Sequence, residues 1–278
     1  MKLRLLSFLM VLVLLTSACS ITINLPEVTT GEIRTFNFAE PAPASGPASV
    51  SIEMGAGKIE VKGGAAGLIE GSVDYNVEGW KPVTTSKPGE FHIIQKTEGI
   101  PTSKVINEWK IKLGNTPVKL SIATGANEGV LDLGGIPITD LKISDGASKA
   151  NIRFDKPNPE TMKSFTYNTG ASNSTLSGLA NANFTEMRFE CGAGNYTLDF
   201  GGKLRQNSRV VIKTGVSNLR IEIPKETAAK VNLSGGVKNV NIEGTWTVKN
   251  DTYQNSGEGS LLTIEVDAGV GNIVLVNK

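Results

Sequence analysis

The chain has 278 residues, with 28 Lys and Arg against 27 Asp and Glu, a formal net charge of +1, one histidine and two cysteines. So even a balance leaves no basic surplus to recruit nucleic acid, and a single histidine cannot build multi-histidine metal sites. Glycine is abundant at 31 residues, above the usual ~7%, and its placement is the most informative feature of the chain.

The first predicted element is an export signal. Lys2 and Arg4 precede an apolar stretch from Leu5 to Leu15, followed by Leu-Thr-Ser-Ala-Cys over 15–19. A basic region, a short apolar core and a small-residue cleavage site are too short together to span a bilayer. Cys19, directly after Ala18, resembles the lipobox of bacterial lipoproteins. That resemblance implies removal of residues 1–18 and a diacylglycerol on the Cys19 sulfur, and with two or more acyl chains a stable membrane anchor. It does not say whether the inner or the outer membrane carries it.

Residues 19–47 are rich in Pro, Ser, Thr and Ala, with Glu-Pro-Ala-Pro-Ala-Ser-Gly-Pro at 40–47, and read as a semi-extended tether. Within it, Gly31 to Phe38 is a candidate edge strand. Residues 48–114 read as a β-rich N-terminal subdomain: Val73, Tyr75 and Val77 alternate, as do Trp109, Ile111 and Leu113. Gly-Ala-Gly-Lys at 55–58 has a superficial likeness to a phosphate loop. It lacks the second spaced glycine, the following Ser or Thr and a helix to receive an anion. His92 reads as an ordinary surface histidine.

From about residue 115 to 278 one pattern repeats. Its corner glycines are Gly125, Gly146, Gly170, Gly192, Gly215, Gly236 and Gly269, with Gly55 as an earlier copy; from Gly125 the intervals are 21, 24, 22, 23, 21 and 33. Periods in this range indicate solenoids or arrays. Three residues before each corner stands an apolar residue, as in Ile122, Phe189 and Ile212, and six after it another, as in Leu131, Leu198 and Ile221. Apolar residues at alternate positions are the signature of half-buried strands. The fold class expected is therefore all-β, a solenoid-like stack of two-strand repeat units; an antiparallel sandwich is the alternative, since periodicity does not fix strand direction.

Three details sharpen that expectation. The corner glycines either adopt positive φ or lie where backbones approach closely, and the Ala or Val that follows (Ala147, Ala171, Ala193, Val216, Val237, Val270) reads as a cramped inward position. Asn173, Asn195, Asn218, Asn239 and Asn272 share the third position after the corner. Stacked roughly 4.8 Å apart, their amides would form either a structural ladder, the favoured reading, or a ligand-binding row. The longer last interval accommodates an insertion over 245–260, where Trp246 and Tyr253 either cover the open end of the stack or meet a partner.

Little catalytic chemistry is visible. Cys191 precedes a corner glycine without a histidine nearby in sequence, and reads as a tolerated free thiol. Asp132, Asp199, Glu222 and Glu243 all fall seven after a corner, interrupted by Arg153 and Ser177, so that Asp199, Glu222 and Glu243 run consecutively. Such a column reads as a solvated face; the sharper readings are Ca²⁺ binding or acid–base work on a polysaccharide. No cofactor and no metal site is expected, and the Asn-x-Ser/Thr matches read as accidents of the repeat.

Ser51 to Val61, Trp109 to Gly114, Thr124 to Leu133, the Gly-Ala-Ser corners and the closing run Ala268 to Val276 together resemble the bacterial toast-rack family. Its relatives include proteins described as surface adhesins and the extracytoplasmic domains of LiaF-type envelope-stress regulators. The resemblance implies the fold but carries no catalytic motif. The function expected is a non-enzymatic, membrane-anchored binding or adhesion module at the bacterial envelope, with an envelope protein or glycan as ligand. The alternatives are an envelope-stress regulator of the LiaF type, from which this chain departs by lacking multiple membrane helices, and a polysaccharide-active β-helix enzyme.

Overall fold

The computed structural model describes residues 27–97, 100–101, 104–236 and 239–278. The expected signal, Cys19, the start of the tether and Val237 lie outside the described residues. In chain order the strands are β1 (Glu27–Val28), β2 (Thr30–Glu40), β3 (Ala48–Gly63), β4 (Ile69–Val77), β5 (Val83–Lys87), β6 (Glu90–Ile94), β7 (Ile100–Pro101), β8 (Asn107–Leu113) and β9 (Val118–Asp132). They continue as β10 (Ile138–Arg153), β11 (Met162–Ser177), β12 (Phe184–Asp199), β13 (Ser208–Ile223), β14 (Thr227–Gly235), β15 (Asn239–Glu243), β16 (Thr247–Lys249), β17 (Thr252–Gln254) and β18 (Glu258–Asn277). Two short 3-10 turns, Glu78–Trp80 and Leu179–Ala182, are the helical elements among the described residues.

All strands but β1 and β7, which pair with each other, join one 16-stranded sheet. Seven long strands, β3, β9, β10, β11, β12, β13 and β18, lie parallel and in register through their corners, with one shift at the start of β10 between Ile138 and Asp140. What periodicity reads as two strands is thus one strand passing through its glycine corner, giving each rung two arms. The alternation changes phase at the bend. In β12, Met187, Phe189 and Cys191 are buried before the corner, and Tyr196 and Leu198 after it. Both sets face the inside of the angle: the Phe189 ring meets Tyr196 edge-on at 5.2 Å between centroids and Tyr167 of the next rung at 5.5 Å.

The columns three before and six after the corner form the core. Ile52, Ile122, Ile143, Tyr167, Phe189, Ile212 and Val266 are buried, as are Val61, Leu131, Ile152, Leu176, Leu198, Ile221 and Leu275. Connectors close the third side of each rung, where their own polar groups must be satisfied. Asn158, fully buried, donates to Ile138 O (2.8 Å) and Ala182 O (3.2 Å) and accepts from Glu160 N (3.0 Å), bridging successive connectors.

Glycine at the corner is required by close approach. A Cβ on Gly146 would stand 2.8 Å from Gly125 O, and one on Gly170, Gly215 or Gly269 would stand 2.5 Å from the carbonyl oxygen of the rung beneath. Positive φ, the other reading, occurs instead two residues on, at Gly57, Gly194 and Gly271. The residue after the corner corrects the sequence reading: it points outward. Ala126, Ala147, Ala171 and Ala193 are exposed, Val216 and Val270 are 63% and 66% exposed, and together they form a ridge along the outside of the bend.

The ends are built differently. At the N-terminal end, β3 pairs with β6 along its first arm and with β8 along its second, and β5, β4 and β2 extend these antiparallel. Thr30–Glu40, within the expected tether, is the edge strand of the sheet. At the other end, stacking departs from chain order: β18 lies between β13 and the β14–β15 rung. The insertion makes this crossing feasible, since β16 and β17 form a hairpin whose β17 strand pairs antiparallel with β14 before the chain returns as β18. Trp246 and Tyr253 pack, partly buried, on the end of the core.

Candidate functional site: the outer face of the second arms

Residues three, five and seven after each corner leave the outside of the second arm, because those at four, six and eight are turned into the core. In spatial order the first outward column reads Lys58, Glu128, Lys149, Asn173, Asn195, Asn218, Asn272, Asn239. It changes from charged to amide at β11. The structure brings all five asparagines together in a hydrogen-bonded row. Asn195 Nδ2 donates to Asn173 Oδ1 (2.7 Å), Asn218 to Asn195 (2.8 Å), Asn272 to Asn218 (2.8 Å) and Asn239 to Asn272 (3.1 Å). Four of the five amides thus donate to a neighbour and Asn173 accepts at the end of the row; all five residues are exposed.

Beside this row runs a groove of about 980 Å³. Its second wall is the column five after the corner: Val130, Asn151, Thr175, Thr197, Arg220 and Val274, with Asn241 at the end. Sequence reasoning passed over that column. Its signal was available in Thr175 and Thr197, which repeat at one position, but their neighbours vary and hide it. The lining mixes amides and hydroxyls with aliphatic groups such as Val130 and Val274, and its charges are Glu128 and Lys149, which stand 4.0 Å apart, and Arg220.

The third outward column holds the carboxylates. Arg153 Nη2 donates to Asp132 Oδ2 at 3.0 Å. Lys278 Nζ lies 3.6 Å from Asp199 Oδ1 and also reaches Glu222. Arg220 donates through Nε to Glu222 (2.6 Å) and through both terminal nitrogens to Glu243 (3.1 Å each). Burial pushes the Glu222 carboxyl up, but hydrogen bonds from Lys278 and then Arg220 outweigh it and hold the group below its ordinary range. A general acid needs the opposite shift. The expectation that Asp199, Glu222 and Glu243 are consecutive is corrected: β18 places Val276 between Glu222 and Glu243.

The remaining candidates lie elsewhere. The Cys191 thiol is buried inside the corner and pushed up to about 11 by that burial, with a hydrogen bond from Tyr196 acting the other way. That opposes thiolate chemistry. His92 Nε2 stands 3.1 Å from Glu53 Oε1 on the N-terminal end of the first-arm face. Gly55 occupies the first corner, and Lys58 is 3.8 Å from Glu108. Among the described residues, no three His, Cys, Asp or Glu side chains gather as a metal-ion cluster, and no helix is long and apolar enough to cross a membrane.

One feature inside the bend escaped sequence analysis. Tyr167 Oη donates to Asp145 Oδ2 (2.8 Å) and meets Ser174 Oγ (2.9 Å), Thr169 donates to Asp145 and meets Ser172 Oγ (2.9 Å), and Tyr196 Oη donates to Ala193 O (2.7 Å). Burial, then the Asp145 charge, raises the Tyr167 hydroxyl well above its ordinary range. The network satisfies polar atoms that the bend would otherwise strand in the core.

Comparison with known proteins agrees with this architecture. A family model described as the N-terminal domain of toast_rack, DUF2154, matches residues 26–166 and 158–222. No curated protein matched the chain. Among solved structures, the chain is similar to a provisionally named adhesin from Bacteroides fragilis, at 12% identity and a TM-score of 0.51, covering 89% of this chain and 99% of that one. A provisionally named cell adhesion protein from Clostridium sporogenes aligns at 20% identity and a TM-score of 0.49, covering 89% of this chain and 100% of that one.

Proposed function

From the membership of this chain in the toast-rack family, whose model spans most of its length, and from the chemistry of its outer face, we propose that it is a non-enzymatic binding module of the bacterial envelope. In this reading a lipid on Cys19 holds it at the membrane, and the groove along the second arms meets an envelope protein or glycan. The observation that carries the proposal is the groove itself: about 980 Å³, lined by amides, hydroxyls and a few aliphatic groups repeated from rung to rung. Its flanking carboxylates are tied to Arg153, Arg220 and Lys278. Repetition at a ~4.8 Å rung spacing suits an extended ligand better than a small one. The provisional name of the Bacteroides fragilis structure, adhesin, points the same way.

The test is a photo-reactive side chain at Thr197, inside the groove, compared in intact cells with one at Thr166 on the outer face of the first arm. The expected result is an adduct from Thr197 only. Equal adducts from both positions, or none from Thr197, would contradict a binding groove. The anchor is tested separately by fractionation: Cys19→Ala should leave the membrane fraction, and its retention there would remove the lipid from the proposal.

A further inference from the structure

The stack has four arm ends, and three are covered. At the N-terminal end, β6 and β5 cover the first arm of β3, while β8, β4 and β2 cover its second. At the other end, β17 and β16 cover the first arm, β14. The second arm there, β15, pairs with β18 on one side, and no described strand pairs with its other edge. A free edge presents unpaired backbone donors and acceptors and is a template for another strand unless charge, proline or a bulge blunts it. Asn-Val-Asn-Ile-Glu has no lysine or proline, and its only charge, Glu243, is engaged by Arg220.

The side chains of β15 show the same incompleteness. The column six after the corner is at most 4% exposed from Val61 through Leu275, yet Ile242 is 49% exposed. The asparagine row also ends open. Its four donating amides all point toward β11, so Asn239 donates to Asn272 and presents its Oδ1 as an acceptor.

We propose that the open edge of β15 receives residues 20–25 of a second copy of this chain as an added parallel rung. That segment, Ser-Ile-Thr-Ile-Asn-Leu, has the alternation of a second arm; set against Asn-Tyr-Thr-Leu-Asp-Phe at 195–200, apolar, threonine and polar positions coincide. In this register Ile21 and Leu25 extend the inward columns, Ile23 covers Ile242, Thr22 joins the threonine-bearing column beside Asn241, and the Ser20 hydroxyl donates to Asn239 Oδ1. The segment cannot come from the same molecule. Thr30, paired with Val77 in β4, stands at the far edge of the sheet. From β2 to β15 is roughly ten strand spacings, about 48 Å, whereas the five residues from Leu25 to Thr30 reach at most ~18 Å. Donation therefore joins copies head to tail, a heterologous contact that propagates unless it closes into a ring. It does not depend on the Cys19 lipid.

The experiment uses the full chain in cells, in two separately tagged versions, one carrying Thr22→Cys and the other Asn241→Cys. Adjacent strands place such cysteines within disulfide reach, while buried Cys191 stays inert. The expected result is a disulfide-linked heterodimer after mild oxidation, and no bond when Thr22→Cys is paired with Thr197→Cys in mid-stack. A bond between two Asn241→Cys copies alone, bonds only to other proteins, or no bond would each overturn the proposal. As a second readout, Ile23→Asp should reduce the purified full chain to monomers in sedimentation without changing its melting temperature. Oligomers unaffected by Ile23→Asp would also refute it.

Discussion

The middle rungs and the last rung carry the same kind of residue at the same position and treat it differently. Leu198 is fully buried in β12, whereas Ile242, in the same column on β15, is half exposed. The local patterns are alike: alternating apolar residues after a glycine corner, with an asparagine between. What differs is the neighbour on the far side. In this fold a rung cannot bury its own hydrophobic face; burial comes from stacking, as in other repeat proteins.

The largest expected effect tests that contrast directly. Leu198→Ala leaves a cavity between two layers and should cost about 2–5 kcal/mol. Ile242→Ala, with half its side chain already in water, should cost less than about 1 kcal/mol. Urea unfolding of the two variants checks this; equal losses would mean that the end rung is as well covered as the middle.

Next in size is the corner. Gly192→Ala drives a methyl group into the Gly170 carbonyl and should cost about 1–3 kcal/mol. Ala193→Val, one residue on, places its methyl groups on the outer ridge where Val216 and Val270 already stand, and should change the unfolding free energy by no more than ~0.5 kcal/mol. A reversed ranking in thermal melts would show that the bend is oriented otherwise.

The asparagine row gives a smaller contrast of the same type. Asn218 holds two ladder bonds and Asn239 one. Since an exposed hydrogen bond contributes about 0.5–1.5 kcal/mol net, Asn218→Ala should lose roughly twice what Asn239→Ala loses in chemical denaturation.

The smallest expected effect is one of pH. Glu222 is held below its ordinary value of 4.5 by Lys278 and Arg220 despite the opposing effect of burial. Its contribution is present above that ordinary value and is lost as pH falls through the lowered one. Glu222→Gln should therefore flatten stability against pH below about 4.5, leaving the curve near neutrality parallel to wild type. An unchanged acid limb in the variant would show that the Lys278–Glu222–Arg220 cluster does not contribute.

How far the sequence discloses this molecule follows from the same contrast. Alternation around Phe189 and Leu198 is a property of one strand, so it is visible in one strand's residues. The parallel direction is not, since period two is the same for either sense of pairing. Nor is the place of β18, because Gly236 and Gly269 carry the same pattern and nothing local says which stacks on Gly215. That exchange separated Glu222 from Glu243 and dissolved a carboxylate pair that looked consecutive. Ala193 and Val216 were misplaced for a related reason: apolar character suggested an inward position, but the strand changes phase at the bend and turns them out. The groove wall at Thr197 and Arg220 was hidden because outward columns vary in residue type while inward ones do not. The polar network around Asp145 left no sequence signal beyond a tyrosine at a position where most rungs carry an aliphatic side chain.

The central claim, that bent rungs stack in register with the last two out of chain order, is tested most directly by paired cysteines in the asparagine row. Asn218→Cys with Asn272→Cys, on neighbouring strands about 4.8 Å apart, should oxidise readily to a disulfide. Asn218→Cys with Asn239→Cys, two spacings or about 10 Å apart, should not, because cysteines whose Cα atoms are more than ~7 Å apart do not bridge without backbone movement. A disulfide in the second pair and none in the first would contradict the account.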